Sequence, residues 1–286
     1  MAGLERATSV THTGEGRYVA ELDPEWEIWG PQGGYLAAVA LRAAGAATGR
    51  ARPASVAAHF VGAGTSGPVE IDVVTNRETR VATSVSFRVV QHSERGERAI
   101  LTGSAWGVDD GLPGLEHGVE PPVEPFTPDG LPDIRELLAG ADAPPPHPFW
   151  LNVEQRPLAW IDDWDAREPG EPRQQHWYRF VDGATFDEPW LDACRGLVVL
   201  DVDSWGSATR AHPSPLEHFA PTIELAVRFV GDGRGSPWLF SDARAPVAAN
   251  GLVAHAGEIW AADGRIVATG GSTLLCRPVA RRPDGR

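Results

Sequence analysis

The chain has 286 residues, of which 42% are hydrophobic and 22% charged, a composition typical of a globular protein with a sizeable core. Its formal net charge of −14 argues against nucleic acid and anionic membranes as partners, because phosphate groups would be repelled. The N-terminus lacks a basic stretch followed by an apolar one, and the longest weakly charged run, residues 30–47, is too short and too broken to span a bilayer. We therefore expect a cytoplasmic protein.

The two cysteines, Cys194 and Cys276, belong to neither a CxxC motif nor a Cys/His cluster. This spacing indicates neither a zinc site nor a disulfide framework, so we expect free thiols in a reducing compartment and no bound metal. The chain also lacks a GxSxG motif, so a serine nucleophile is not indicated.

The run WEIWGPQGGYLAAVALRAAG, residues 26–45, contains the first predicted helix. We predict that it extends over about 33–47, because Gly30-Pro31 favours a turn before it and Gly49 favours a stop after it. Apolar residues cover nearly every face of this segment, which is typical of a helix that is buried on all sides.

The sequence then changes to a period of two, which predicts four strands at residues 55–62, 68–77, 81–91 and 98–107. One buried helix followed by four strands predicts an α+β unit over residues 1–107, in which the sheet wraps the helix. Residues 108–148 are rich in Pro and Gly, and we interpret them as a linker with one short helix from Ile134 to Ala139.

The second half repeats the first. A second helix is predicted over residues 189–208, because Glu188 and Pro189 favour a helix start. The segment PTIELAVRFVGDGRGSP (221–237) aligns with PASVAAHFVGAGTSGP (53–68), and both contain FVGxG followed by Pro. We therefore interpret the chain as a tandem duplication, with a second unit over residues 149–286.

Several segments together resemble the acyl-CoA thioesterase II-like (TesB-like) family: LDPEWEIWGPQGGYLAAVALRA, SVAAHFVG, PTIELAVRFVG and NGLVAHAGEIWAADGRIVA. The resemblance extends over about residues 18–276. It implies a double hotdog fold, in which two tandem units each have a long buried helix wrapped by an antiparallel β-sheet. It also implies hydrolysis of acyl-CoA thioesters without a cofactor or metal, and a homo-oligomer is possible.

In that family an Asp, a Thr and a Gln of the second unit activate the attacking water. The resemblance matches the Asp to Glu224 in PTIELAV and the Gln to Ser272 in DGRIVATGGST. The Thr position falls near Ala245 or Pro246, where no hydroxyl is available. Glu224 and Ser272 are therefore the predicted catalytic residues; a solvent-facing Glu beside Arg228 and an ordinary strand hydroxyl are the structural alternatives.

The start of the first helix, Gly33-Gly34-Tyr35, is the predicted substrate-binding and oxyanion site. Backbone N–H groups at a helix N-terminus can polarise a thioester carbonyl, and glycine lets a substrate approach the backbone. The alternative is that the glycines permit tight packing. His59 and Thr273 are further candidates, each of which is also an ordinary strand residue. An acyl pocket or plain core packing would explain the tryptophans Trp29, Trp150, Trp160, Trp164 and Trp177.

Two functions follow from these observations. The first is an acyl-CoA thioesterase-like hydrolase, in which water attacks a carbonyl held near Gly33-Gly34. The alternative is a non-hydrolytic acyl- or polyketide-binding protein, or a secondary-metabolism protein, on a thioesterase scaffold whose catalytic triad has eroded.

Overall fold

Two long helices and one continuous antiparallel sheet form the framework of the computed structural model, which describes residues 3–94, 96–139, 147–163 and 166–279. The helices are α1 (Leu4–Ala7), α2 (Gly33–Thr48), α3 (Ile134–Leu138) and α4 (Pro189–Thr209). The strands of the first half are β1 (Thr11–Gly14), β2 (Arg17–Leu22), β3 (Arg52–Phe60), β4 (Gly67–Glu78), β5 (Ala82–Ser93) and β6 (Gly96–Val108). Those of the second half are β7 (Val153–Pro157), β8 (Arg173–Phe180), β9 (His218–Phe219), β10 (Thr222–Phe229), β11 (Leu239–Ala249), β12 (Leu252–Ala261), β13 (Ile266–Leu275) and β14 (Arg277–Pro278).

The strand order reveals the internal duplication directly. The sheet runs β1-β2-β4-β5-β6-β3-β10-β13-β12-β11-β8-β7, so each half contributes six strands whose order matches that of the other half when counted from the outer edge. Strands β3 and β10 pair antiparallel in the middle and join the halves into one sheet. The predicted double hotdog fold is therefore confirmed, whereas the exact boundaries of the two units remain predictions.

Helix α2 begins and ends close to the predicted residues. The side chain of Gln32 caps its start by accepting a hydrogen bond from the Tyr35 amide at 2.7 Å, and Gly49 ends it with φ of 61°. Except for Arg42, every residue from Gly34 to Gly45 is buried. The expectation of a fully enclosed helix is thus met.

The small residues of α2 also allow close packing against α4. A Cβ on Gly34 would lie 2.7 Å from the Leu197 carbonyl oxygen, and one on Gly45 would lie 2.7 Å from the Trp190 ring. The two helices are antiparallel, because the start of α2 meets the middle of α4 and the end of α2 meets its start. The Ala- and Gly-rich composition of α2 is therefore explained by its two close neighbours, its own sheet and helix α4.

Some elements differ from the sequence-based expectation. The hairpin β1–β2 and the edge strand β7 were not predicted, and the 108–148 segment is more than a spacer. Within that segment Phe126 packs on the outer face of the second half, with its ring centroid 4.7 Å from that of Trp177 and 5.2 Å from that of Phe240. Among the described residues, no helix is long and apolar enough to cross a membrane.

Candidate functional site

A cavity of about 890 Å³ lies where the start of α2 meets α4, and residues of both halves line it. Its walls include residues 28–33 before and at the start of α2, residues 60–64 after β3, and residues 201–206 of α4. Residues 157–161, residues 173–176 of β8 and residues 220–223 complete it. A cavity of this size, with apolar walls and a few polar groups, is typical of a small-molecule site.

Asp201 of α4 is the polar centre of this wall. Its Oδ2 accepts hydrogen bonds from the Gly34 amide at 2.9 Å and from Gln32 Nε2 at 2.7 Å, while its Oδ1 accepts one from Thr222 Oγ1 at 3.0 Å. Burial raises the pKa of the Asp201 carboxyl, although the hydrogen bonds from Thr222 and Gly34 oppose this shift. The carboxylate thus joins the two halves and is a stronger base than an exposed aspartate.

A β-bulge orients Thr222 toward Asp201. Glu224 is opposite Thr273 on β13, and Thr222, two residues before it, is opposite Leu274, only one residue after Thr273. Strand β10 therefore has one extra residue between these two pairs. Without the slip, Thr222 and Glu224 would point to the same face of the sheet. With it, Thr222 is on the inner face, where its hydroxyl reaches the carboxylate.

The start of α2 retains one free amide. The Gly34 amide is bound by Asp201 and the Tyr35 amide by Gln32, whereas the Gly33 amide has no hydrogen-bond acceptor among the described residues. Gly33 lines the cavity, and a Cβ at this position would lie 2.8 Å from Asp201 Oδ2. Glycine is therefore needed here for the close approach, and the Gly33 N–H remains available to a ligand.

A second set of polar residues lies at the opposite edge of the face that α4 presents to the cavity. Asp201 and Asp203 are two positions apart, about 200° around the helix, so they flank the cavity-lining face formed by Val202, Trp205 and Gly206. Asp203 Oδ1 accepts hydrogen bonds from His176 Nδ1 at 2.9 Å and from the Tyr178 hydroxyl at 2.7 Å.

The charges of this second group are set by burial and by hydrogen bonds. Burial alone would raise the pKa of Asp203, but the charge and hydrogen bond of His176, together with the hydroxyl of Tyr178, outweigh it and lower the pKa. Burial and the neighbouring Asp203 charge raise the pKa of Tyr178 well above its usual value. Asp203 is therefore ionised and Tyr178 neutral.

The duplication creates an equivalent position at the start of α4, but protein side chains fill most of it. Only about 230 Å³ is open there, and the fully buried Arg195 side chain is part of its lining. Its guanidinium binds Asp192 at 2.6 Å and donates to the carbonyls of Ala184, Ser236 and Gly233. Among the described residues, the cavity at the start of α2 is therefore much larger than the one at the start of α4.

The structure does not bring together the two predicted catalytic residues. Glu224 is opposite Thr273, and its Oε2 accepts a hydrogen bond from Thr273 Oγ1 at 3.0 Å. Ser272 is opposite Leu225 on the inner face, where its hydroxyl contacts His255 Nδ1 at 3.0 Å. Neighbouring positions on a strand point to opposite faces, so Glu224 and Ser272 lie on opposite faces of the sheet, and their catalytic role stays a prediction.

The remaining predicted residues are divided between the cavity and its surroundings. Gly33 lines the cavity, and Gly34 binds its central carboxylate. Tyr35 points into the core, where its hydroxyl donates to the Ala7 carbonyl and accepts from the Asp23 amide, each at 2.9 Å. None of the four residues predicted on strands lines the cavity; these are Glu224, Ser272, His59 and Thr273. His59 is directly opposite Glu224 across the β3–β10 junction.

The tryptophans predicted for an acyl pocket also divide. Trp29, Trp150 and Trp160 line the cavity. Trp177 instead packs in a separate apolar cluster. Trp164 lies outside the described residues.

Sequence reasoning missed Asp201, Thr222 and Gln32. A usable signal was present for the first, because GLVVLDVDSWG has two aspartates in an otherwise apolar helix that was predicted to be buried. Thr222 stands in the same PTIEL strand that drew attention to Glu224. Gln32 gave no such signal, because a polar residue just before a helix is already explained as a helix cap.

Taken together, two long helices wrapped by one tandem sheet, with a large cavity at the start of α2, define a protein of the double hotdog class. Comparison with family models identifies the family. The acyl-CoA thioesterase N-terminal domain matches residues 22–108 and the acyl-CoA thioesterase C-terminal domain matches residues 127–274. Because the second match alone covers more than half of the chain, the chain belongs to the acyl-CoA thioesterase family.

Solved structures agree in fold. The chain is 23% identical to a putative thioesterase II from Thermobifida fusca, with 97% of this chain and 98% of that one covered and a TM-score of 0.77. It is 21% identical to the acyl-CoA thioesterase II TesB2 from Mycobacterium marinum, with 97% and 99% covered and a TM-score of 0.76. The dehydratase domain of PpsC from Mycobacterium tuberculosis is more distant, at 14% identity, 95% and 99% coverage and a TM-score of 0.53. None of the curated proteins compared with the chain matches it.

Proposed function

We propose that this protein hydrolyses acyl-CoA thioesters and that Asp201 is the base that activates the attacking water. The observation that carries the proposal is the buried Asp201 carboxylate, which lies on the wall of the large cavity and is held by donors from both halves. Membership of the acyl-CoA thioesterase family supports the substrate class.

The chemistry requires a water molecule between Asp201 and the thioester carbonyl. Thr222 donates its proton to Asp201, so the lone pairs of its hydroxyl oxygen are free to orient this water. Asp201 accepts one proton of the water as the oxygen attacks the carbonyl carbon. The C–S bond then breaks, the proton passes from Asp201 to the leaving sulfur, and the products are a free acid and CoA.

The start of α2 supports the developing oxyanion. The free Gly33 N–H points out from a helix N-terminus, where backbone amides carry partial positive charge. A negative oxygen formed during attack would accept a hydrogen bond from this amide. Of the three residues predicted for the oxyanion role, Gly33 is the one we assign to it, because the amides of Gly34 and Tyr35 already have acceptors.

Gln32 supplies a side-chain amide to the site from the first half of the chain. Its Oε1 is held by the Tyr35 amide and its Nε2 by Asp201, so the side chain is fixed at both ends. The family resemblance implies a Gln from the second half, and that position here is Ser272, which binds His255 instead. We propose that Gln32 takes over the positioning role, since it is the amide that contacts the base.

Two arginines favour an anionic substrate at the same cavity. Arg210 and Arg277 line it, and neither forms an ion pair with another described residue. In a chain with a net charge of −14, unpaired guanidinium groups at a cavity attract an anion. The phosphate groups of CoA match this charge.

The experiment uses the purified full chain with a panel of acyl-CoAs and a free-thiol readout. Hydrolysis predicts release of CoA that depends on enzyme concentration, and Asp201→Asn should lower turnover by about 10²-fold or more, the effect of a lost general base. Binding of acyl-CoAs without release of CoA would favour the alternative, a binding protein. In that case the assignment of Asp201 as a base would be abandoned. The absence of the family Gln at the position of Ser272 is the observation that favours this alternative.

A further inference from the structure

The hydrolysis proposed above leaves one buried polar group without a role. It consists of Asp203 on α4, His176 and Tyr178 on β8, and Gln155 on β7, and it is called the Asp203 cluster here. All four residues are buried. Removing charged and polar groups from water is costly, so such a cluster is retained only where its hydrogen bonds or a function compensate.

Three groups contact Nδ1 of the His176 imidazole: the Asp203 carboxylate, the Tyr178 hydroxyl and Gln155 Nε2. The ionised carboxylate of Asp203 can only accept, so His176 Nδ1, at 2.9 Å, carries the proton. When the ring is neutral, the other nitrogen, Nε2, has a free lone pair. No described residue hydrogen-bonds Nε2, and His176 lines the cavity. The ring therefore has one acceptor atom left for a ligand.

The protein does not satisfy the cluster by itself. Gln155 Nε2 donates to the Tyr178 hydroxyl at 2.7 Å, but Gln155 Oε1 is buried without a hydrogen-bond partner among the described residues. Gln155 also lines the cavity. Leaving a buried acceptor without a donor destabilises the folded protein. Asp203 Oδ2 is likewise buried without a hydrogen-bond partner among the described residues. Three acceptors, His176 Nε2, Gln155 Oε1 and Asp203 Oδ2, are thus open to a donor that enters from the cavity.

The position of the cluster relative to Asp201 indicates which part of a substrate it would contact. The Cα atoms of residues 201 and 203 are about 5 Å apart on the helix, and their side chains diverge to opposite edges of the exposed face. Between them lie Val202, Trp205 and the main chain of Gly206. A substrate whose carbonyl is beside Asp201 and Gly33 would lay apolar carbons over this face and reach the cluster several bonds farther along.

We propose that the Asp203 cluster is a specificity site for an acyl chain that carries a hydroxyl group several bonds from the thioester carbonyl. The hydroxyl would donate its proton to His176 Nε2, and Asp203 acts as a positioning residue that holds the ring through Nδ1. The inference rests on the proposed function, because it takes the thioester carbonyl to lie beside Asp201. It predicts that a plain alkyl chain of the same length is a poorer ligand.

The test compares straight-chain acyl-CoAs of increasing length with counterparts hydroxylated at the terminal carbon. At the best length, kcat/KM for the hydroxylated substrate should exceed that for the plain one by about tenfold or more, the effect of one buried hydrogen bond. His176→Phe should reduce this ratio to near one, whereas His92→Phe, on an exposed part of β5, should leave the ratio unchanged. Equal rates for both substrates at every length, or an unchanged ratio in His176→Phe, would overturn the proposal.

Two further measurements keep the result interpretable. Gln155→Met preserves side-chain length and should also lower the ratio, which covers the case in which His176→Phe does not fold; an unchanged ratio in that variant would contradict the proposal. Dissociation constants for non-hydrolysable thioether analogues of the same pairs test the preference independently of catalysis. Loss of hydrolysis with retained preference in binding would reject the proposed function alone, and loss of the preference in binding would reject the specificity site.

Discussion

Replacing Gly34 by Ala should separate helix α2 from helix α4 and reduce both stability and activity. A Cβ at this position would lie 2.7 Å from the Leu197 carbonyl oxygen and 2.8 Å from Val198 Cα, both main-chain atoms that cannot rotate away. Since unstrained contacts are about 3.5–4.0 Å, the helices must shift apart by about 1 Å. Such overpacking costs about 1–3 kcal/mol, and because backbone atoms are involved the upper part of that range applies. The higher helix propensity of Ala offsets at most about 1 kcal/mol of this loss in the free energy of unfolding.

The control is the same substitution on the other helix. A Cβ on Gly196 would meet Ala268 Cβ at 3.7 Å and Ile259 Cγ2 at 4.0 Å, which are ordinary contacts. Gly196→Ala should therefore stabilise the protein by about 0.5–1 kcal/mol. In urea denaturation, the free energy of unfolding should fall in Gly34→Ala and rise in Gly196→Ala. Equal stability of Gly34→Ala and the parent protein would refute the reasoning. Activity should fall about 10²-fold in Gly34→Ala alone, because the shift moves the Gly34 amide away from Asp201.

Further predictions concern buried titratable groups. Burial lowers the pKa of His255 to about 4, against 6.5 for an ordinary histidine, so the unfolded chain takes up a proton first as the pH falls. Between pH 6.5 and 4 the free energy of unfolding should drop by about 3 kcal/mol from this group, and urea midpoints of His255→Gln should depend less on pH over that range. Arg195→Met leaves Asp192 buried without its partner and should cost about 3–5 kcal/mol in the same assay; a loss below 1 kcal/mol would contradict the account. Burial raises the pKa of Cys194 to about 12, so a thiol reagent should label only the half-buried Cys276 before denaturation and both cysteines after it.

The framework of the fold could be predicted because its signals are local. Helix α2 was placed within one residue of its observed end, since Gly and Pro mark both sides of an apolar run. The four strands after it followed from their alternation, and the matching FVGxG segments revealed the duplication. The hairpin β1–β2 was missed because its residues are mostly polar and its first strand is exposed.

The site could not be predicted in the same way, because it depends on contacts between distant residues. Gln32 and Asp201 are 169 positions apart and meet only because the two helices pack antiparallel. The bulge in β10 turns Thr222 inward while Glu224, two residues later, is on the other face. No one-dimensional match to a family motif records such a slip, so the sequence did not predict that Thr222 contacts Asp201.

The filled equivalent of the site also required the structure. The duplication predicts two related positions, yet the sequence does not reveal that a buried Arg195 lines the smaller one. Arg195 donates four hydrogen bonds and forms an ion pair with Asp192, and its partners are spread over positions 184–236. The asymmetry between the halves is therefore a result of packing rather than of any motif.

The most direct test of the central claim is a comparison of Asp201→Asn with Glu224→Gln in acyl-CoA hydrolysis. Asp201 accepts three hydrogen bonds, so urea midpoints of both variants are measured beside the rates to separate a loss of stability from a loss of chemistry. We expect kcat to fall about 10²-fold or more in Asp201→Asn and to change less than about threefold in Glu224→Gln. The reverse result, full activity without the Asp201 carboxylate and loss of activity without Glu224, would contradict the account.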